Sequence, residues 1–417
     1  MDLKIYQSKL KGDVVVPASK SITHRYLICA ALSSGKTIIN NPLICNDTLA
    51  TISVLKKFGT KFKFEKDRII VKGSGIPKYT SRKVTVLESA TTLRILLPLM
   101  VLFSSKVEIV SSKRLIDRIY TSDLLDLHGL HFQRDRHNIR IDGKLVDKNI
   151  VLSGKITTQL ISGILFALPY LEEGTTFQIK DIAWTNPYIE LTLDAMKTFG
   201  INFQIEDDKI KVSRKQKYMS KNVTVEGDYS NGAVWVVASY FHHDLNVLGL
   251  NVDSLQGDRQ IISYMNQLGV NFNYTNNKIS YASGELTSGF LNVNETPDLA
   301  PILVSLASNA QGRVIITGTA KLKYKESNRK LAIMEVINAL GGDVKISDND
   351  IIIDGKATLN GKATIDSYND HRIVMATAIM ATICNNPVII KDFQAVNKSY
   401  PDFFKTLVKL GAKIEVL

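Results

Sequence analysis

Cysteine and tryptophan are scarce in this chain, with three and two copies among 417 residues, and acidic residues fall twelve short of basic ones. Cys29, Cys45 and Cys384 are an odd trio without metal-type spacing, so neither a cysteine zinc site nor a disulfide framework is indicated. Cys29 and Cys384 sit in apolar helical runs and read as reduced, packed thiols, which points to a reducing compartment. Long apolar runs are missing too. The richest segments, 95–103 and 373–384, are too short to span a bilayer. The opening Met1-Asp2-Leu3-Lys4 carries no secretory core, so a soluble cytoplasmic protein is expected. No low-complexity segment and no long linker interrupts the chain. The shortage of acids leaves a net charge of +12 and a pI of about 9.3. That balance favours an anionic partner: nucleic acid, a membrane surface, or small phosphates and carboxylates.

What is present is ordinary in composition, with 45% apolar and 22% charged residues, and long enough for two cores. Its organisation is periodic. Apolar helices are expected to start near Ser21, Thr91, Thr158, Ser230, Asp298 and Asp370, at intervals of 70, 67, 72, 68 and 72 residues. A helix-ending glycine followed by an alternating strand keeps the same beat at Gly59, Gly129, Gly200, Gly269, Gly341 and Gly411. Two markers in step indicate repeated supersecondary units. In each unit the first helix is apolar on most sides, as in 22–32, and therefore buried. The second is amphipathic and runs to the glycine, as in 49–58, 188–199, 329–340 and 403–410. Alternating strands follow at 61–64, 202–205, 271–274 and 413–416, giving roughly β-α-β-α-β-β per unit.

The fold class expected is α/β, two domains of three β-α-β-α-β-β units each, with buried helices and a cleft between the domains. The boundary falls near 221–225, after the basic run Arg214-Lys215-Gln216-Lys217. The opening strand Val14-Val15-Val16 precedes a complete first unit and is expected to pair with the last. The chain then crosses twice, with one domain at 18–223 and the other made of 1–17 and 224–417.

Polar clusters mark the helix starts, where unpaired N–H groups and partial positive charge attract anions. Lys20, Ser21 and Arg25 put an ammonium, a hydroxyl and a guanidinium within reach of one anion, although a Ser cap with solvated cations would look alike. Glu88 to Arg94 places Arg94 just inside an apolar helix, where it needs a partner. Thr157-Thr158-Gln159 offers two hydroxyls and an amide. Glu226 to Ser230 reads as a turn and cap. Asp298 is either an N-cap or a general base held among cations. Asp370-His371-Arg372 heads an apolar run and is hard to explain as core. Lys325 to Arg329, Lys398 to Asp402 and Arg118 lie outside these starts. Lys20, Arg25, Arg94, Arg118, Lys325, Arg329, Arg372 and Lys398 all fall at or near unit starts, with Asp298 and Glu326 among them. The pattern suits small polyanions handled by embedded acid/base groups.

The segments 17–25, 88–94, Pro297-Asp298, 325–329 and Asp370-His371-Arg372 resemble, in order and separation, the motifs of the enolpyruvylshikimate phosphate synthase family. The resemblance covers essentially the whole chain. It implies transfer of the enolpyruvyl group of phosphoenolpyruvate to the 5-hydroxyl of shikimate 3-phosphate, with loss of phosphate through a tetrahedral adduct. It implies no metal, no organic cofactor, no nucleic-acid or membrane partner, and a monomer. Carried over by residue, Asp298 takes the hydroxyl proton, and Lys20 and Glu326 serve the enol carbon, with the division between them open. Phosphoenolpyruvate is held by Lys20, Ala90, Arg94, Arg118, Gln159, Arg329, Arg372 and Lys398. Shikimate 3-phosphate is held by Lys20, Ser21, Arg25, Thr157, Thr158, Gln159, Thr185, Tyr188, Asp298 and Lys325. His371 stands behind these groups.

The sequence departs from the family pattern at several points. Ala90 replaces a frequent Gly, and its methyl is expected to crowd glyphosate, which is slightly longer than phosphoenolpyruvate. Arg118-Ile119-Tyr120 lacks the usual Pro, Thr157, Thr158 and Thr185 replace serines, and Lys321 stands where Asn is frequent. The related UDP-N-acetylglucosamine enolpyruvyl transferase has Asn at Ser21 and typically a Cys near Arg118, and segment 115–122 has none. A nucleic-acid-binding protein would carry longer basic stripes with interleaved aromatics. A catalytically silent relative is disfavoured because the acid/base residues are all present.

Overall fold

The computed structural model describes residues 1–417 apart from 80, 121–128, 146–147, 156, 173–174, 213–215, 276 and 357, and only the backbone of Tyr120. The expected basic run includes Arg214 and Lys215, and the helix expected before Gly129 falls on 121–128. Those residues lie outside the described ones.

Two compact units form. One, the inserted unit, is Ala18–Val225, and the other, the flanking unit, is Met1–Pro17 with Glu226–Leu417. Val223–Thr224 explains why the inserted unit runs slightly past residue 223: this short strand pairs in parallel with Ile39–Asn40. Each unit has its own apolar core, from Ala18 to Val225 in one and from Leu3 to Ala412 in the other.

The repeat is visible as six four-stranded sheets among the described residues. Each has one parallel pair at an edge and two antiparallel pairs beyond it, as in 287–292, 311–317, 350–354 and 343–346. The opening of the chain is shared differently from the expectation. Gly12–Val15 pairs in parallel with Leu245–Leu248, so this strand completes the fourth repeat. Leu3–Ile5 is the segment that joins the last repeat, between Val388–Ile390 and Ile414–Val416. Leu3 and Ile5 are buried around Lys4, but a three-residue alternation is too short to stand out in sequence.

The first helices of the repeats are Lys20–Leu32, Ala90–Phe103 and Gln159–Ala167 in the inserted unit. In the flanking unit they are Tyr229–Phe241, Ala300–Ala307 and His371–Ile383, which pack on one another. All six are buried on most sides, as apolarity around the whole helix demands. The amphipathic helices include Asn46–Lys57, Pro187–Thr198, Arg329–Ala339 and Phe403–Lys409. The six marker glycines take φ between +78° and +111°, a region a Cβ disfavours.

One glycine sets the spacing of a site. A Cβ at Gly163 would lie 2.6 Å from the Ile95 carbonyl and 2.9 Å from the Pro98 ring. Its absence lets helix Gln159–Ala167 lie directly against Ala90–Phe103, which brings their N-terminal side chains into contact.

Candidate active site

In the inserted unit, the Ser19 hydroxyl accepts from the Ile22 N–H at 3.4 Å and so fixes where helix Lys20–Leu32 begins. Lys20 and Ser21 occupy its first turn. Lys20 Nζ lies 2.9 Å from Asp47 Oδ2, with side chains only 14% and 12% exposed. Arg25, one turn on, is almost wholly buried. Its Nε donates to Thr192 Oγ1 at 2.9 Å, its Nη1 to the Ser21 carbonyl at 2.9 Å, and its Nη2 to the Tyr188 carbonyl at 2.8 Å and Ser162 Oγ at 3.5 Å. Every one of these partners is neutral. Burial accordingly pulls the Arg25 pKa down to about 10. Ser21, Arg25 and Tyr188 therefore form one cluster, with Tyr188 held in the first turn of its helix by the Asn186 cap at 3.1 Å.

A second cluster sits where helices 90–103 and 159–167 begin. Gln159 donates through Nε2 to Thr91 Oγ1 at 2.9 Å and accepts from Arg94 Nη1 at 3.2 Å. Thr157 Oγ1 accepts from the Gln159 N–H at 3.2 Å. Arg94 is buried, and Ala90, 6% exposed, is the first residue of its helix. Thr158 is half-buried beside Gln159, Arg118 lies on helix Lys113–Tyr120, and Thr185 is exposed. His24 is buried beneath these groups. Its Nδ1 meets Thr51 Oγ1 at 2.8 Å, and burial with the charges of Lys20 and Arg25 holds its pKa well below the usual histidine range.

The flanking unit holds Asp298 and Glu326, two of the three candidate acid/base residues. Arg329, 1% exposed, is the hub. It donates to Asp298 at 2.7 Å, to Glu326 at 2.7 Å and to both oxygens of Asp370 at 2.8 and 3.2 Å. Lys325 Nζ adds a contact to Asp298 at 3.1 Å. Asp298 is not an N-cap: Leu299 holds that position before Ala300–Ala307, without a side-chain bond. Burial disfavours the Asp298 charge, but Lys325, Arg329 and Arg372 outweigh it and hold the carboxyl well below its usual range. Asp370 is the cap of His371–Ile383, accepting from the Arg372 N–H at 2.9 Å. His371 is buried next to it, and Lys398 Nζ donates to the Asn369 carbonyl at 2.8 Å.

Arg372 differs from Arg329. It is 4% exposed, yet its Nη1 donates only to the Ser230 carbonyl at 2.7 Å and to Asn231 Oδ1 at 3.1 Å. Its Nε has no partner among the described residues. It is a buried guanidinium bound to neutral groups with donors to spare, an arrangement that is costly unless an anion completes it. Arg25 is its counterpart in the inserted unit.

A model of the EPSP synthase family (3-phosphoshikimate 1-carboxyvinyltransferase) matches residues 5–407. The 3-phosphoshikimate 1-carboxyvinyltransferase of Clostridioides difficile (strain 630) is 34% identical over a 435-residue alignment covering 99% of this chain and 98% of that one. Its counterpart from Clostridium novyi (strain NT) is 33% identical, covering 99% and 98%. The chain belongs to the EPSP synthase family. Membership makes it an enolpyruvyl transferase of the shikimate pathway. An EPSP synthase structure from Acinetobacter baumannii shares the fold over 100% of both chains, with a TM-score of 0.80 at 23% identity. The enolpyruvyl transferase NikO from Streptomyces tendae does so over 99% and 98%, with a TM-score of 0.75 at 15% identity.

Several residues of these clusters were not anticipated. Asp47 opens helix Asn46–Lys57, where an acid in the first turn is explained equally well by the helix dipole. Thr192 and Ser162 read as helix-interior hydroxyls, and only their contact with Arg25 gives them a role. Asp258, in a short helical turn at Gly257–Arg259, carries no motif recognised beforehand. Among the described residues, no group of three or more His, Cys, Asp or Glu is placed to hold a metal, and no helix is long and apolar enough to cross a membrane.

Proposed function

We propose that this chain moves the enolpyruvyl group of phosphoenolpyruvate to the 5-hydroxyl of shikimate 3-phosphate and releases phosphate. The observation that carries this is the pair of buried guanidiniums, Arg25 and Arg372, whose described partners are all neutral. Each substrate bears a phosphate and a carboxylate, and such groups satisfy Arg through parallel charge-assisted bonds.

In this account Arg25, Ser21, Thr157, Thr158, Gln159, Thr185, Tyr188 and Lys325 hold shikimate 3-phosphate, with Lys20 and Asp298 beside its reacting hydroxyl. Arg94, Arg118, Gln159, Arg329, Arg372, Lys398 and Lys20 hold phosphoenolpyruvate. Asp298, kept ionised by Lys325, Arg329 and Arg372, accepts the hydroxyl proton as the oxygen bonds to C2 of the enol. C3 gains a proton from Lys20 or Glu326, giving a tetrahedral adduct. The adduct then loses phosphate from C2 and a proton from C3, which restores the double bond. Cations placed around a carbon that gathers phosphate and carboxylate stabilise charge where it develops. The reaction calls for no metal or organic cofactor, and the enzyme works as a cytoplasmic monomer.

Ala90 gives this family member its herbicide response. Ala90 starts the helix that carries Arg94, and in this reading a ligand longer than phosphoenolpyruvate crowds its methyl group. Glyphosate is therefore a weak inhibitor here. Acceptor choice is the test of the whole reading. The enzyme is incubated with phosphoenolpyruvate and either shikimate 3-phosphate or UDP-N-acetylglucosamine, and the products are weighed by mass spectrometry. An enolpyruvyl ether of shikimate 3-phosphate alone supports the reading. An ether of the nucleotide sugar, or none, refutes it.

A further inference from the structure

Asp258 is a carboxyl that the reaction described above does not use. It is 4% exposed. One oxygen, Oδ2, is bonded by the Ser230 hydroxyl, and the other, Oδ1, has no hydrogen-bond partner among the described residues. No Lys, Arg or His is ion-paired with it there. The same Ser230 holds Arg372, because its carbonyl accepts from Arg372 Nη1 at 2.7 Å. One residue thus connects a buried acid to a buried guanidinium whose Nε is unspent.

The groups around Asp258 come from every element packed on it. Asp228 and Ser230 lie at the start of helix Tyr229–Phe241, Asp298 ahead of Ala300–Ala307, Arg372 on His371–Ile383, and Tyr264 on helix Gln260–Gln267 next to it. Two of these are carboxylates and one is a cation. Burial and the Asp298 charge push the Asp258 carboxyl up to about 7, against the opposing pull of Ser230 and Arg372. Burial is the largest of these influences, and Arg372 is the opposing one that a bound anion can change. When an anion binds Arg372 and neutralises its field, a cation favouring the Asp258 charge is offset and a further negative charge arrives.

We propose that Asp258 is a positioning residue that couples its own proton to the grip of Arg372, so that the substrate anion binds the form of the protein in which Asp258 is neutral. The inference rests on the proposed function, with phosphoenolpyruvate as that anion. A neutral Asp258 can donate to Ser230 Oγ and keep the Ser230 backbone in place beneath Arg372. An ionised Asp258 competes with the substrate for the Arg372 charge.

The test compares wild type with Asp258→Asn, which fixes a neutral group of the same shape. Steady-state kcat and KM for phosphoenolpyruvate are measured at saturating shikimate 3-phosphate across the neutral range. In wild type, kcat/KM falls about tenfold from roughly pH 6 to roughly pH 8 beyond any fall in the variant, as loss of one obligatory proton near neutrality requires. Titration of the phosphoenolpyruvate phosphate is common to both proteins and cancels in the comparison. The fall lies in KM and not in kcat. Parallel profiles in the two proteins overturn the coupling while leaving the proposed function standing. No turnover by wild type overturns both. Should the variant fail to fold, infrared difference spectra of wild type on ligand addition decide. A gained stretch of a buried protonated carboxyl is expected, and its absence overturns the proposal.

Discussion

Removing Arg372 and removing Arg329 are predicted to have different consequences for stability. Both guanidiniums are buried, at 4% and 1% exposure, and both lie in the flanking unit. Arg329 neutralises three carboxylates, of which Asp370 is fully buried. Arg329→Met strands those charges, and breaking a buried ion pair by deleting one partner costs about 3–5 kcal/mol. At about 2–4 °C per kcal/mol for a body of this size, Tm falls by roughly 6–20 °C. Arg372→Met strands two hydrogen-bond acceptors, the Ser230 carbonyl and Asn231 Oδ1, at about 1–3 kcal/mol each. Against that loss and the weaker field on Asp298, which keeps Lys325 and Arg329, it removes a charge whose burial costs several kcal/mol. The two terms are of similar size, so Tm of the ligand-free protein stays within about 4 °C or rises. Function is lost in Arg372→Met even though stability is not. With charge-assisted bonds worth about 1.5–3 kcal/mol each, loss of two lowers kcat/KM for phosphoenolpyruvate by roughly a hundredfold to ten-thousandfold. Differential scanning calorimetry and steady-state assays read the two effects. An Arg372→Met protein that melts as early as Arg329→Met would show that Arg372 is a structural ion pair, and the anion-receptor account would fail with it.

Other outcomes follow from the same clusters. Asp298→Ala should cut kcat by about a hundredfold or more, the usual loss for a general base, while shikimate 3-phosphate still binds. Near-normal turnover removes Asp298 from that role. Ala90→Gly should lower the glyphosate concentration needed for half-inhibition in an activity assay, and an unchanged value rejects the steric cause. His24 binds its proton less readily folded than unfolded, so the folded state loses stability as pH drops below the ordinary histidine value of about 6.5. Thermal melts from roughly pH 7 to roughly pH 5 should therefore fall less steeply in His24→Gln than in wild type, and equal slopes contradict the assignment.

The repeat was legible because each of its marks has a local cause. A glycine at positive φ ends a helix, and a run apolar on all sides must be buried, whatever the rest of the chain does. The strand Leu3–Ile5 was not legible, because three residues carry no period and its partners lie near the other end of the sequence. The same divide runs through the site. Arg94, Asp298 and Arg372 stood out as ionisable residues at apolar helix starts, and Arg329 as a cation heading an amphipathic helix. Asp47 and Asp258 did not, since one looks like a dipole partner and the other like a turn. Nor could sequence separate Arg329 from Arg372. Only the described contacts show that the first is saturated by carboxylates while the second rests on a carbonyl and an amide.

The central claim is that these cations and acids serve one transfer between two phosphorylated substrates. Phosphate release from phosphoenolpyruvate, followed continuously with and without shikimate 3-phosphate, tests it most directly. Release should be negligible with phosphoenolpyruvate alone and should rise to one phosphate per enolpyruvyl ether formed once shikimate 3-phosphate is added. Release that is indifferent to shikimate 3-phosphate, or absent with both present, contradicts it.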